Sequence, residues 1–393
     1  MKYNFDELID RSNSDCVKYE VARKATGRTD VIPLWVADMD FRTPPFVLNA
    51  ISRRLGQGIL GYTTPCKGYV ESVQWWLKRR YQMEVPAKSI HFIPGIVPGI
   101  SFAVSCFTNP GDRIMIQPPV YHPFHHVITA SGREKVLNPI IERNGRYCMD
   151  FEAMERDLPG CKLLILCSPH NPRGIVWQRS ELERVAELCH KHHVTVISDE
   201  IHADMTFAGH RHIPFATINE TARNLSVTFM APSKAFNMPG VIASHALVYN
   251  PELRNRFYTY LDENDLAFGN SFAYDCVKAC YSPEGEEWLN EMLQYIEQNT
   301  DYVLTFLQTN CPRITCTRPE ASFLLFLDNR QLGFPTQKAL VDFYIDRAGL
   351  YLNDGTMFGT EGTGFLRLNI ATPRSILVRA MNQLKKAYDQ AGF

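Results

Sequence analysis

No stretch of this sequence approaches the roughly 20 apolar residues that a membrane-crossing helix needs. Charge of one sign is missing too: 41 basic side chains face 42 acidic ones, for a formal net charge of -1. That balance excludes a protein that grips nucleic acid or another polyanion by bulk charge. The first residues, Met1-Lys2-Tyr3-Asn4-Phe5-Asp6-Glu7, are polar and acidic, so no secretory leader is read there. Repeats and low-complexity tracts are absent, as are Gly-x-Gly-x-x-Gly after a strand, the P-loop and the Gly-x-Ser-x-Gly elbow. Cysteine is plentiful, but 11 is an odd number and the spacing fits no disulfide framework. Cys161 and Cys167 flank an apolar run and read as small hydrophobes. Cys276 and Cys280 lie one helical turn apart with no second pair to complete a zinc site, so no metal is expected. A soluble protein of a reducing compartment, the cytoplasm, is the expectation.

What is present is an alternation of short apolar runs with helical stretches. Residues 89–93, 113–117, 163–167, 194–198, 225–230 and 244–249 read as strands. Near-continuous apolar runs of this kind suit strands covered on both faces, hence a mostly parallel sheet and an α/β fold. Residues 180–190 read as an amphipathic helix, with Ser180 as N-cap and Glu183 as its capping-box partner. From about residue 285 strict alternation stops, and a smaller α+β domain is expected. The boundaries read as an N-terminal segment 1–45 packing with the small domain and the substrate site, a large domain 46–284 and a small domain 285–393.

In open α/β sheets ligands bind beyond the carboxyl ends of the strands, so the residues there form the candidate site. After the first strand comes Pro94-Gly95-Ile96-Val97, a turn that opens a helix and can offer amides to a phosphate. After the second, Tyr121 stands among prolines as an aromatic platform; after the third, Asn171 offers an amide. Asp199 ends the fourth, where a buried acid is costly unless a cation or proton donor meets it. Lys234 follows the fifth, where desolvation favours the neutral amine that carbonyl chemistry requires. Singly each has a plain structural explanation: a turn glycine, a core-edge tyrosine, a turn asparagine. Jointly they are the equipment for pyridoxal 5'-phosphate, with Lys234 for the aldehyde and Asp199 for the ring nitrogen. His122, His125 and His126 follow the tyrosine and line a substrate entrance or a plain surface loop.

Residues 168–174, 198–202 and 231–234 stand in the order found in fold-type I pyridoxal-phosphate enzymes, and the chain resembles this aspartate aminotransferase superfamily over nearly its whole length. The resemblance implies a seven-stranded, mostly parallel sheet and makes Arg367 the clamp for a substrate α-carboxylate. Residues 32–41 and Gly61-Tyr62-Thr63 resemble the MalY/PatB branch of cystathionine β-lyases and cysteine-S-conjugate β-lyases. That branch implies a substrate carboxylate held by Arg367, Asn171 and the backbone near Ala37. It implies a homodimer with shared sites, in which Tyr62 reaches the cofactor phosphate of the neighbouring subunit. Many aminotransferases carry an arginine eight residues after the lysine and a tyrosine three after the aspartate; here the residues are Ile242 and His202. The phosphate is then left to the Ile96 and Val97 amides, Ser233 and Tyr62. Cleavage of L-cystathionine or a related cysteine conjugate is the activity implied, with Lys234, Asp199 and Tyr121 catalytic. An aminotransferase is the alternative, and a non-catalytic regulator on the same fold a more distant one.

Overall fold

Apolar runs bounded by turn residues assemble into the central sheet of the larger of two compact units, residues 43–170 and 175–289. The structure, a computed structural model, describes residues 2–12 and 14–393. The strands are β1 (Ile90–Ile93), β2 (Arg113–Ile116), β3 (Glu134–Leu137), β4 (Cys161–Cys167), β5 (Thr195–Asp199), β6 (Ser226–Met230) and β7 (Ser244–Leu247). They lie in the order β1-β7-β6-β5-β4-β2-β3 as one 7-stranded sheet. β7 runs antiparallel to both neighbours; the other pairings are parallel. All of β6 is buried, and in β4 only Lys162 is exposed, because helices cover both faces. On one face lie Ile100 and Val104 of α1 (Ile96–Phe107) and Phe124 and Ile128 of α2 (His122–Ala130). On the other lie Leu182, Val185 and Leu188 of α3 (Arg179–Lys191).

Two local features differ from the sequence reading. β3 is not among the apolar runs, since Glu134, Lys135 and Leu137 are exposed and only Val136 is buried. It is an edge strand, where charge guards against pairing with another chain. Ser180 and Glu183 do not cap α3; Gln178 is the N-cap and Glu181 closes the capping box, accepting from the Gln178 N–H at 2.8 Å. Glu181 is also gripped on both oxygens by Arg146, each at 3.0 Å. That fork fixes Glu181 at the third helical position and so starts the helix ahead of the serine.

The second unit gathers the residues up to Arg42, Asn171–Gly174 and Asn290–Phe393. Its sheet holds β8 (Leu324–Asp328), β9 (Asn353–Asp354) and β10 (Phe365–Asn369), antiparallel in the order β8-β10-β9. A long helix, α4 (Pro283–Asn310), enters it, and α5 (Arg374–Gln390) ends it. The N-terminal segment is tied in by backbone bonds: Leu34 N–H donates to Tyr351 O, Asn369 N–H to Leu34 O and Asp40 N–H to Ala371 O. Beneath it Lys18, with no exposed surface, lies 2.8 Å from Asp40 and 3.6 Å from Asp38, and Arg11 bridges the same two carboxylates. Among the described residues no helix is long and apolar enough to cross a membrane.

Candidate active site

The larger unit brings an acid and an amine to the ends of neighbouring parallel strands. Asp199 ends β5, paired in register with Phe229 of β6, and Lys234 lies in the turn that follows β6. Asp199 is 2% exposed, and its Oδ1 accepts from the Ile201 N–H at 3.1 Å. Burial pushes its carboxyl up to about 7; the Ile201 N–H pulls it down, Glu200 pushes it further up and Lys234 pulls it down. The lysine turn is pinned by Phe236, which is fully buried and stacks on Trp288 at 5.8 Å while meeting Trp76 and Phe46 edge-on. Backbone bonds from Phe236 N to Pro232 O and Met238 N to Ser233 O tighten the loop. Lys234 itself is half-buried and Ser233 buried.

α1 supplies an anion site by its geometry. Its N-cap is Gly95, at φ +99°, and no side chain caps the helix, so the Ile96 and Val97 amides head its positive end. Ile242, at the position of the missing arginine, borders this turn: its Cγ2 is 3.7 Å from where a Cβ on Gly95 would stand. Ile242 is half-exposed and left-handed, at φ +53°, a conformation that strains a β-branched residue. Tyr121 is the N-cap of α2, its ring edge-on to Phe124 at 5.7 Å and packed on the sheet core. His202 is buried three residues after Asp199. The set fits pyridoxal phosphate: a buried acid for a ring nitrogen, an uncapped helix end for a phosphate, an amine for an aldehyde. Tyr62 does not join this buried group; it is fully exposed on a loop with Ile59 and Leu60.

The second unit holds a buried guanidinium fork in place. Arg367, in the middle of β10, is 2% exposed. Its Nη1 donates to Asn171 Oδ1 at 3.0 Å; its Nη2 donates to Trp35 O at 3.1 Å and Asn353 Oδ1 at 2.6 Å. Its guanidinium lies over the Phe358 ring, 4.8 Å from the centroid. The residues after Trp35 are fixed by Asn369, whose side-chain amide donates to Val36 O and Asp38 O at 2.6 Å each, leaving Ala37 buried between them. Of these residues the sequence reading named Arg367, Asn171 and Ala37; it passed over Asn353, Phe358 and Asn369. Asn353 meets Arg367 through the register of β9 with β10, which spacing alone does not display.

The family model of aminotransferase class I and II matches residues 29–384. Cystathionine beta-lyase PatB of Bacillus subtilis is 40% identical over 386 residues, 98% of this chain and 99% of that protein. Among solved structures, cystalysin of Treponema denticola, which contains a pyridoxal 5'-phosphate cofactor, is 34% identical with a TM-score of 0.95, covering 99% of this chain and 100% of that one. The pyridoxal-phosphate-bound C-S lyase of Staphylococcus hominis is 32% identical with a TM-score of 0.90, over 98% and 99% of the two chains. The chain therefore belongs to the aminotransferase class I and II family.

Proposed function

We propose that this protein is a pyridoxal-phosphate-dependent carbon–sulfur β-lyase acting on L-cystathionine or a related cysteine S-conjugate. The reading is carried by the Asp199–Lys234 arrangement at adjacent strand ends, in a chain 40% identical to a cystathionine beta-lyase. Bound pyridoxal phosphate supplies an electron sink for the pair left when the substrate α-proton departs. Lys234 holds the cofactor and then, as general base, takes that α-proton. Asp199 would keep a proton on the ring nitrogen, Asn171 and His202 would orient the ring, and Tyr121 would offer it an aromatic face. The phosphate is met by the Ile96 and Val97 amides and the Ser233 hydroxyl. Arg367, with Asn171 and the backbone at Ala37, grips the α-carboxylate by its two-oxygen fork. The Cβ–S bond then breaks, the sulfur leaves as a thiol, and water converts the remaining three-carbon fragment to pyruvate and ammonia.

A homodimer completes the reading. Leu55, Ile59, Leu60, Tyr62, Ile242 and Phe268 are exposed apolar side chains of the larger unit, and a second copy would cover such surface. Tyr62 of a second copy then reaches the phosphate. Eleven free cysteines suit the reducing cytoplasm.

Incubation of the holoprotein with L-cystathionine, assayed together for pyruvate and free thiol, tests the function. Equal amounts of both are expected, with loss of turnover in Lys234→Ala. Conversion of the cofactor to its amine form by L-cystathionine, with neither product, would mark an aminotransferase instead.

A further inference from the structure

A buried lysine far from Lys234 in sequence holds the N-terminal segment at two points. Lys18 lies in the first turn of the helix Val17–Thr26 and has no exposed surface. Its carbonyl accepts from the Trp35 indole N–H at 2.8 Å. Its ammonium donates to Asp40 Oδ2 at 2.8 Å and stands 3.6 Å from Asp38 Oδ1. One residue thus closes on both ends of residues 35–40. Arg11 completes the set, donating to Asp38 Oδ2 at 2.6 Å, Asp40 Oδ1 at 3.0 Å and Met39 O at 3.3 Å. Two carboxylates of the segment therefore face two cations that precede it in the chain.

The backbone of the same residues serves the site for a carboxylate. Trp35 O accepts from Arg367 Nη2 at 3.1 Å, and Val36 O and Asp38 O accept from Asn369, with Ala37 buried between them. We propose that Lys18 is a positioning residue for recognition of the substrate α-carboxylate. Through Trp35 and Asp40 it fixes the carbonyl that orients the Arg367 guanidinium, and with it the backbone at Ala37. Without the ammonium, Asp38 and Asp40 would share Arg11 alone, and buried carboxylates short of a cation are drawn towards water. The pull acts on the side chains of the segment, and its carbonyls travel with them. Arg367 then loses an acceptor that holds the plane of its fork. Asp199 and Lys234 belong to the larger unit, so the loss falls on the substrate carboxylate rather than on the cofactor.

This rests on the reading of Arg367 as the carboxylate clamp, and the test separates the two. The full-length holoprotein is titrated spectrally with L-alanine and with ethylamine, which differs from it only in lacking the carboxylate. Lys18→Met keeps the length of the side chain and removes the charge. It should weaken L-alanine on the order of tenfold and leave ethylamine unchanged, as expected when the segment is in place about a tenth of the time. Arg11→Gln changes a partly exposed residue, folds under milder demands and should weaken L-alanine in the same selective way by a smaller factor. In an Asp40→Asn background, Lys18→Met should have much less effect, because the partner of the ammonium is already gone. A merely structural role would weaken both amines alike. Equal losses for the two amines, or wild-type L-alanine affinity in folded Lys18→Met, would overturn the proposal; should that variant not fold, the same ratio in Arg11→Gln decides. If Arg367→Ala keeps the wild-type preference for L-alanine over ethylamine, the underlying reading of Arg367 fails instead.

Discussion

Asp199→Asn should stabilise the cofactor-free protein above neutral pH while weakening its hold on pyridoxal phosphate. The magnitude follows from burial. A carboxyl with an ordinary value of 3.8 is pushed up to about 7. At about 1.4 kcal/mol per pH unit, ionising it in place costs about 4 kcal/mol. Between those limits the folded chain holds the proton more tightly than the unfolded chain. Stability is therefore full below about pH 4, falls as pH rises and levels off above about 7. Asparagine keeps the acceptor for the Ile201 N–H and has no charge to bury. Urea unfolding of both apoproteins at pH 5 and pH 8 gives the comparison. The variant's stability relative to wild type should improve by about 3 kcal/mol between the two conditions, a difference that cancels any fixed packing cost. Added pyridoxal phosphate should raise the wild-type midpoint far more than the variant's. Parallel pH profiles for the two apoproteins would refute the argument, because they would mean that Asp199 costs nothing to ionise.

Other substitutions probe separate parts of the structure. His245 on β7 has no exposed surface and no protein partner for either ring nitrogen, and burial pushes it down to about 3. The unfolded chain binds its proton first as pH falls below about 6.5, so His245→Leu should flatten the acid limb, by about 2 kcal/mol at pH 5 relative to pH 8 in urea melts. Arg367→Lys trades a bidentate fork for a point charge and should lower kcat/KM for L-cystathionine on the order of a hundredfold, with cofactor affinity unchanged in spectral titration. Ile242→Asn, which relieves a left-handed β-branched residue, should raise thermal stability by about 1 kcal/mol in calorimetry.

The sheet was legible because its central strands are buried on both faces: β4 and β6 are apolar almost without a break, and nothing but a strand fits runs of that length between turn residues. β3 was not, since an edge strand with Glu134 and Lys135 outward carries the composition of a loop. The start of α3 was misread for a related reason, the local preference for serine caps being overridden by Arg146, which is remote in sequence from Glu181. In the candidate site, residues just beyond strands could be named from position alone. Their supports could not, because Asn353 reaches Arg367 through strand register.

The composition of the smaller unit dictates an order of events during synthesis. Its first strap, which carries Leu34, Ala37 and Phe41 as buried residues, finds its partners in Glu291, Tyr295, Tyr351, Asn369 and Ala371. Those residues emerge from the ribosome about 290 to 335 residues later, on the order of 15 to 65 s at ordinary elongation rates. Throughout that interval the larger unit can complete its sheet, while Leu34, Ala37 and Phe41 wait with their apolar side chains in water. The strap therefore docks last, once Tyr351, Asn369 and Ala371 have emerged to receive it.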